Sequence, residues 1–144
     1  MKTQRFTQIT DLHLGPARDS TLAGVRTVES FESVLQFVEQ QGRGSDVLLL
    51  TGDLAADCDP KAYQILNQIL VEQCKQAIWL PGNHDDFELM VENLVDYPPV
   101  SVLGAGNWAV LTLDSSQPHK PGGHIAEVQL EQIARTLDSH ADKF

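Results

Sequence analysis

Two short runs, "DVLLL" (46–50) and "AIWL" (77–80), restrict the fold more than any other feature of this 144-residue sequence. Both are too short for a helix, and neither alternates with polar residues. Gly44 and Gly52 flank the first, and Pro81 and Gly82 follow the second. This is the pattern of buried strands that expect cover on both faces. Around them the period changes to that of helices. Val28, Phe31, Val34, Leu35 and Val38 recur at helical spacing between Thr27 and Gln40, which predicts one buried helix face. Asp59 followed by Pro60 predicts a helix start, an N-cap with proline at the first helical position, and that helix runs to about Cys74. Arg5 to Ile9 reads as a further strand, "FELMVENLV" as a short helix, "SVLG" and "NWAVLTLD" as two strands, and "AEVQLEQIARTL" as an amphipathic helix. Strand and helix alternate without repeats or long linkers, and 115–123 is the most irregular stretch. The expectation is a single α/β layered domain over residues 1–144.

In such sheets the functional groups gather beyond the carboxyl ends of the strands. Three strands here end in ligand-type residues: "TDLHLG" carries Asp11 and His13, "TGDLAAD" carries Asp53 and Asp57, and "PGNHDD" carries Asn83, His84, Asp85 and Asp86. Alone, each segment reads equally well as a solvated loop, a Gly-Asp turn or a helix cap, with Asp85 or Asp86 capping the helix that follows. Together they occupy one topological place with complementary donors. Carboxylate, imidazole and amide oxygen suit a divalent ion such as Mn, Fe or Zn.

Composition removes several other readings. A net charge of −10 argues against nucleic-acid polymers and anionic membranes as partners, because both reward basic patches. Cys58 and Cys74 are too few and too unpatterned for a disulfide framework or a cysteine zinc site. The N-terminus has no continuous apolar stretch of signal-peptide type, and no run reaches membrane-spanning length. The expected compartment is the cytoplasm.

Asp11-x-His13, Gly52-Asp53 and Gly82-Asn83-His84-Asp85 resemble the ordered blocks of the calcineurin-like metallophosphoesterases. The surrounding "QITDLHLG", "TGDLAAD", "WLPGNHD" and "LDS" are similar to the Icc/CpdA-type cyclic-AMP phosphodiesterases of that superfamily, and the resemblance extends from about Gln4 to about Leu137. It implies a layered α/β/β/α sandwich with mixed sheets and a dinuclear centre of Mn, Fe or Zn. By that resemblance Asp11 and His13 ligate the first metal, Asp53 bridges both, and Asn83 ligates the second through its amide oxygen. His84 faces the phosphate as general acid or charge stabiliser, so Asn83 and His84 also form the substrate-binding edge. Two cations about 3.5–4 Å apart clamp the phosphate and activate a water. Asp57 either orients the histidine or is a surface acid. The implied substrate is a small phosphodiester, a 3′,5′-cyclic nucleotide and most nearly cyclic AMP. Gly-Asp is not followed by the arginine-bearing segment of the superfamily's protein phosphatases, which disfavours phosphoproteins.

The family pattern continues with a further metal histidine and a Gly-His-x-His block, and neither precedes Phe144. His119 and His124 read as solvated loop histidines, and His140 as a residue near a helix C-terminus. The expectation is therefore the N-terminal half of the fold, with weak or absent activity. The alternative is a non-catalytic module that binds metal or nucleotide. A sheet built from "DVLLL", "AIWL" and "NWAVLTL" would leave one apolar face open, and a homodimer across a two-fold axis is its expected cover.

Overall fold

The computed structural model describes residues 4–41, 46–117 and 120–140. Three parallel strands, β1 (Phe6–Ile9), β4 (Val47–Thr51) and β5 (Ala77–Leu80), form the central sheet in the order β1-β4-β5. The short strands β2 (Thr21–Leu22) and β3 (Val25–Arg26) pair antiparallel, as do β6 (Val102–Ala105) and β7 (Trp108–Leu111). Four helices complete the described residues: α1 (Thr27–Gln40), α2 (Pro60–Gln73), α3 (Phe87–Asn93) and α4 (Glu127–Ser139). This is a mixed α/β fold.

Both sheet crossovers step in the same direction, so right-handed connections put α1 and α2 on one face. Register decides which side chains meet them. Leu48 lies opposite Ala77, and Leu50 opposite Trp79 and Ile9. These residues join Val28 and Phe31 of α1, Tyr63, Leu66, Ile69 and Leu70 of α2, and Met90 and Leu94 in one core cluster. Each fully buried aliphatic side chain contributes about 1.5–3 kcal/mol. Local signals agree with this packing. The Asp59 carboxylate accepts the Lys61 N–H at 2.8 Å at the start of α2, and Asp86 caps α3 by accepting the Leu89 N–H. Trp79 Nε1 donates to the Tyr97 carbonyl at 2.6 Å, which ties the chain after α3 back to the sheet.

Three sequence expectations are revised, and one element is new. "NWAVLTL" does not enter the central sheet. Its core, β7, pairs with β6 through the two-residue loop Gly106–Asn107, where Gly106 (φ 62°) supplies the positive φ that such hairpin turns demand. Closing so short a loop orders far less chain than crossing to the sheet. The second face of that sheet is not open along its length either, since Val47 and Ile78 are buried there; exposure falls at the β1 edge, on Phe6. Val34 belongs to the helical pattern of α1 but is 42% exposed, on the side of the helix that lines a recess beside Asp11. The β2–β3 hairpin was not predicted. Its loop is Ala23-Gly24, both with positive φ (49° and 84°), and alanine is a poor signal for that geometry.

Candidate metal centre

The three candidate segments leave the parallel strands side by side, and backbone bonds zip the first two together. Asp11 N–H donates to the Gly52 carbonyl, His13 N–H to Asp53, Leu14 N–H to Leu54, and Ala56 N–H to Leu14. Leu12, Leu14, Leu54 and Ala55 are buried, so the residues alternating with them are turned outward along the same edge. One ligand atom from each of Asp11, His13 and Asp53 falls within 4.8 Å of the others. Three of the five non-glycine residues with positive φ among the described residues are these three: Asp11 at 57°, His13 at 44° and Asp53 at 52°. Such backbone costs on the order of 1–3 kcal/mol per residue and persists only where the surroundings enforce it.

Asp85 supplies much of that enforcement. It is 2% exposed, and its two oxygens accept from Leu54 N–H, Ala55 N–H and Gly82 N–H and from the Tyr63 hydroxyl, at 2.9–3.1 Å. Tyr63 Oη in turn accepts the Asp86 N–H at 3.2 Å. One carboxylate therefore joins the Asp53 turn, the Asn83–His84 turn and α2. The burial that surrounds Tyr63, with the Asp85 charge beside it, raises its pKa far above the ordinary value of 10, so the hydroxyl stays a donor. Gly82 completes the close approach. A Cβ there would stand 2.1 Å from Asp53 Oδ1 and 2.4 Å from Asp53 N.

His84 N–H donates to Asp53 Oδ1 at 3.1 Å, and the His84 ring meets His13 edge-on with centroids 5.3 Å apart. The His84 carbonyl accepts from the Cys58 N–H and lies 3.2 Å from its Sγ. Burial, then the charges of Asp85, Asp86 and Asp57, push the Cys58 thiol up and keep it protonated. Asn83 is half-buried on the turn between Gly82 and His84. Asp57 is exposed on the turn beside Cys58, and among the described residues no hydrogen bond joins it to His84. His124 is exposed, its N–H bonded to the Ser115 carbonyl, and His140 caps the end of α4. His119 lies outside the described residues. Sequence reasoning placed Asp85 in the Gly82-Asn83-His84-Asp85 block and weighed it as a helix cap, without assigning it the buried position between two glycine-bearing turns.

The donor set fits a divalent cation. One imidazole and two carboxylates are first-row metal ligands, and an ion about 2.1 Å from each donor brings the donors within about 4.2 Å of one another. That is a small side-chain adjustment from the separations present, and His13 Nε2 already lies 3.8 Å from Asp11 Oδ1.

The family model of the calcineurin-like phosphoesterases matches residues 4–139. The 3′,5′-cyclic adenosine monophosphate phosphodiesterase CpdA of Escherichia coli K12 is 37% identical over 136 residues, covering 92% of this chain and 50% of its own length. The CpdA of Haemophilus influenzae is 32% identical, covering 97% and 52%. A 3′,5′-cyclic-nucleotide phosphodiesterase of Nostoc is 34% identical, covering 90% and 50%. The chain spans about half the length of the curated relatives it matches. With its motif residues gathered on one sheet edge and its match running from residue 4 to residue 139, the chain belongs to the calcineurin-like phosphoesterase family.

Proposed function

We propose that this protein is a metal-dependent phosphodiesterase acting on a small 3′,5′-cyclic nucleotide, with cyclic AMP the first substrate to test. The observation that carries the reading is the convergence of Asp11, His13 and Asp53 beneath His84. The names of the relatives supply the substrate class. Asp11 and His13 would hold the first ion, Asp53 would serve both ions, and Asn83 would offer its amide oxygen to the second. Cations held there, Mn, Fe or Zn, would neutralise phosphoryl charge and acidify water. His84 is held by its own backbone bond to Asp53, which leaves the imidazole to protonate the departing ester oxygen. Asp57, on the adjoining turn, orients His84 by charge. The absence, among the described residues, of any helix long and apolar enough to cross a membrane, together with two free thiols, suits the cytoplasm.

The test is hydrolysis of cyclic AMP and of bis(p-nitrophenyl) phosphate by purified protein with and without manganese, alongside metal analysis. This chain holds at most about one equivalent tightly, because Asp11, His13 and Asp53 serve the first ion and only Asp53 and Asn83 the second. Any hydrolysis falls about 10²–10⁴-fold in His84→Ala. A rate that survives both His84→Ala and chelation overturns the mechanism. Two equivalents unaffected by Asp53→Asn overturn the ligand assignment. Metal binding without hydrolysis selects the second reading, a non-catalytic metal- or nucleotide-binding module.

A further inference from the structure

A recess of about 320 Å³ opens directly beside the candidate metal centre and includes Asp11 and His13 in its lining. Its walls come from two elements that take no part in holding metal. Leu22 and Val25 project from the β2–β3 hairpin, and Phe31 and Val34 from α1. Phe31 is buried, but Leu22, Val25 and Val34 are 46%, 53% and 42% exposed. The hydroxyls of Thr27 and Ser30 add polar groups, and Thr27 Oγ1 is the one buried side-chain polar atom among the described residues without a hydrogen-bond partner.

These features select the kind of group the recess takes. Small-ligand sites run from roughly 300 to 1,000 Å³, with apolar walls and a few placed polar groups. This one is at the small end. Its lining contains no lysine or arginine, and its charged residues are the two candidate metal ligands. A second phosphate would find no cation there, whereas an uncharged, flat group would cover apolar surface that now faces water. A phosphoester whose phosphorus stands at Asp11, His13 and Asp53 must place its organic part within a few ångströms, and the recess shares Asp11 and His13 with that point.

We infer that the β2–β3 hairpin and the first turns of α1 form a nucleoside subsite, which receives the uncharged base and sugar of the substrate while the phosphate stays at the metal edge. This rests on the phosphodiesterase reading. It makes Leu22, Val25 and Val34 specificity-determining residues, and it disfavours substrates with additional phosphates.

Equilibrium titration of the manganese-loaded protein with cyclic AMP and, separately, with inorganic phosphate tests the subsite without requiring turnover. Cyclic AMP should bind roughly tenfold or more tightly than phosphate. Val25→Trp and Val34→Trp narrow the recess from its two walls at exposed positions. Each should abolish that advantage while leaving phosphate and manganese affinity unchanged. The inference is overturned if cyclic AMP binds no better than phosphate, or if both variants keep the wild-type ratio. The two readings separate cleanly. A nucleoside advantage lost in the tryptophan variants, without hydrolysis, removes the catalytic proposal and keeps the subsite. Hydrolysis with equal kcat/KM in wild type and both variants keeps the catalytic proposal and removes the subsite.

Discussion

Residues 6–97 and residues 101–140 both consist largely of regular structure, yet they bury very different amounts of it. Every fully enclosed residue of the core cluster lies between Leu12 and Leu94. In the later region only Ala105 and Thr136 are buried among the described residues, while Trp108, Val128, Leu130 and Leu137 are all more than half exposed. The candidate site stands wholly on the first region. Positive-φ ligands need neighbours that cannot yield, and a parallel sheet packed on three helices, pinned by a buried carboxylate, provides them. The hairpin β6–β7 and helix α4 have the right local patterns without an enclosed face, so their share of the folding free energy is small.

The sharpest way to break this comparison is Asp85→Ala. It strands the donors of Leu54, Ala55, Gly82 and Tyr63, each costing about 1–3 kcal/mol when buried and unpaired. The expected outcome in urea unfolding is a loss of at least ~4 kcal/mol or failure to fold, with manganese affinity lost as well. A loss below about 1 kcal/mol would mean that Asp85 does not hold the two turns together.

Next is Leu66→Ala, a deletion at a position of 0% exposure in the middle of α2. Large-to-small changes at such sites cost about 2–5 kcal/mol, read as a lower urea midpoint at constant m. Tyr63→Phe is milder, at about 1–2 kcal/mol, because Asp85 keeps its three backbone donors. It also has a pH signature. The folded Tyr63 pKa lies above the unfolded value of about 10, so the folded state keeps a proton that the unfolded state releases. Wild-type stability should therefore be unaffected by this group below pH 10 and decline above it; the decline should be shallower in Tyr63→Phe. Smallest of all is Leu137→Ala on α4, expected within about 0.5 kcal/mol of wild type. A cost approaching that of Leu66→Ala would show that α4 is covered in solution, by a second copy of the chain or by another partner, and would dissolve the contrast between the regions. Sedimentation of the same samples distinguishes a homodimer from a monomer.

Much of this arrangement was legible beforehand. The bounds of α1, the Asp59-Pro60 start of α2 and the two apolar strands follow from period and capping chemistry, which act over a few residues. Asp11, His13 and Asp53 were readable as a set because parallel strands must deliver their carboxyl ends to one edge. Sequence order could not reveal that Asp85 turns inward while Asp86 caps α3, since adjacent aspartates are chemically identical until the fold separates their surroundings. Nor could it place Val34. It lies on the flank of α1 that lines the recess, while Phe31 and Leu35 on either side of it pack against the core.

Local pattern by itself thus determined the element types, the helix starts and the identity of the metal-type donors, because each depends on residues near one another along the chain. Tertiary structure alone decided that Asp85 binds two turns and that the β2–β3 hairpin walls a recess beside Asp11. These outcomes depend on burial and on contacts between residues distant in sequence, for which the chain carries no short-range code.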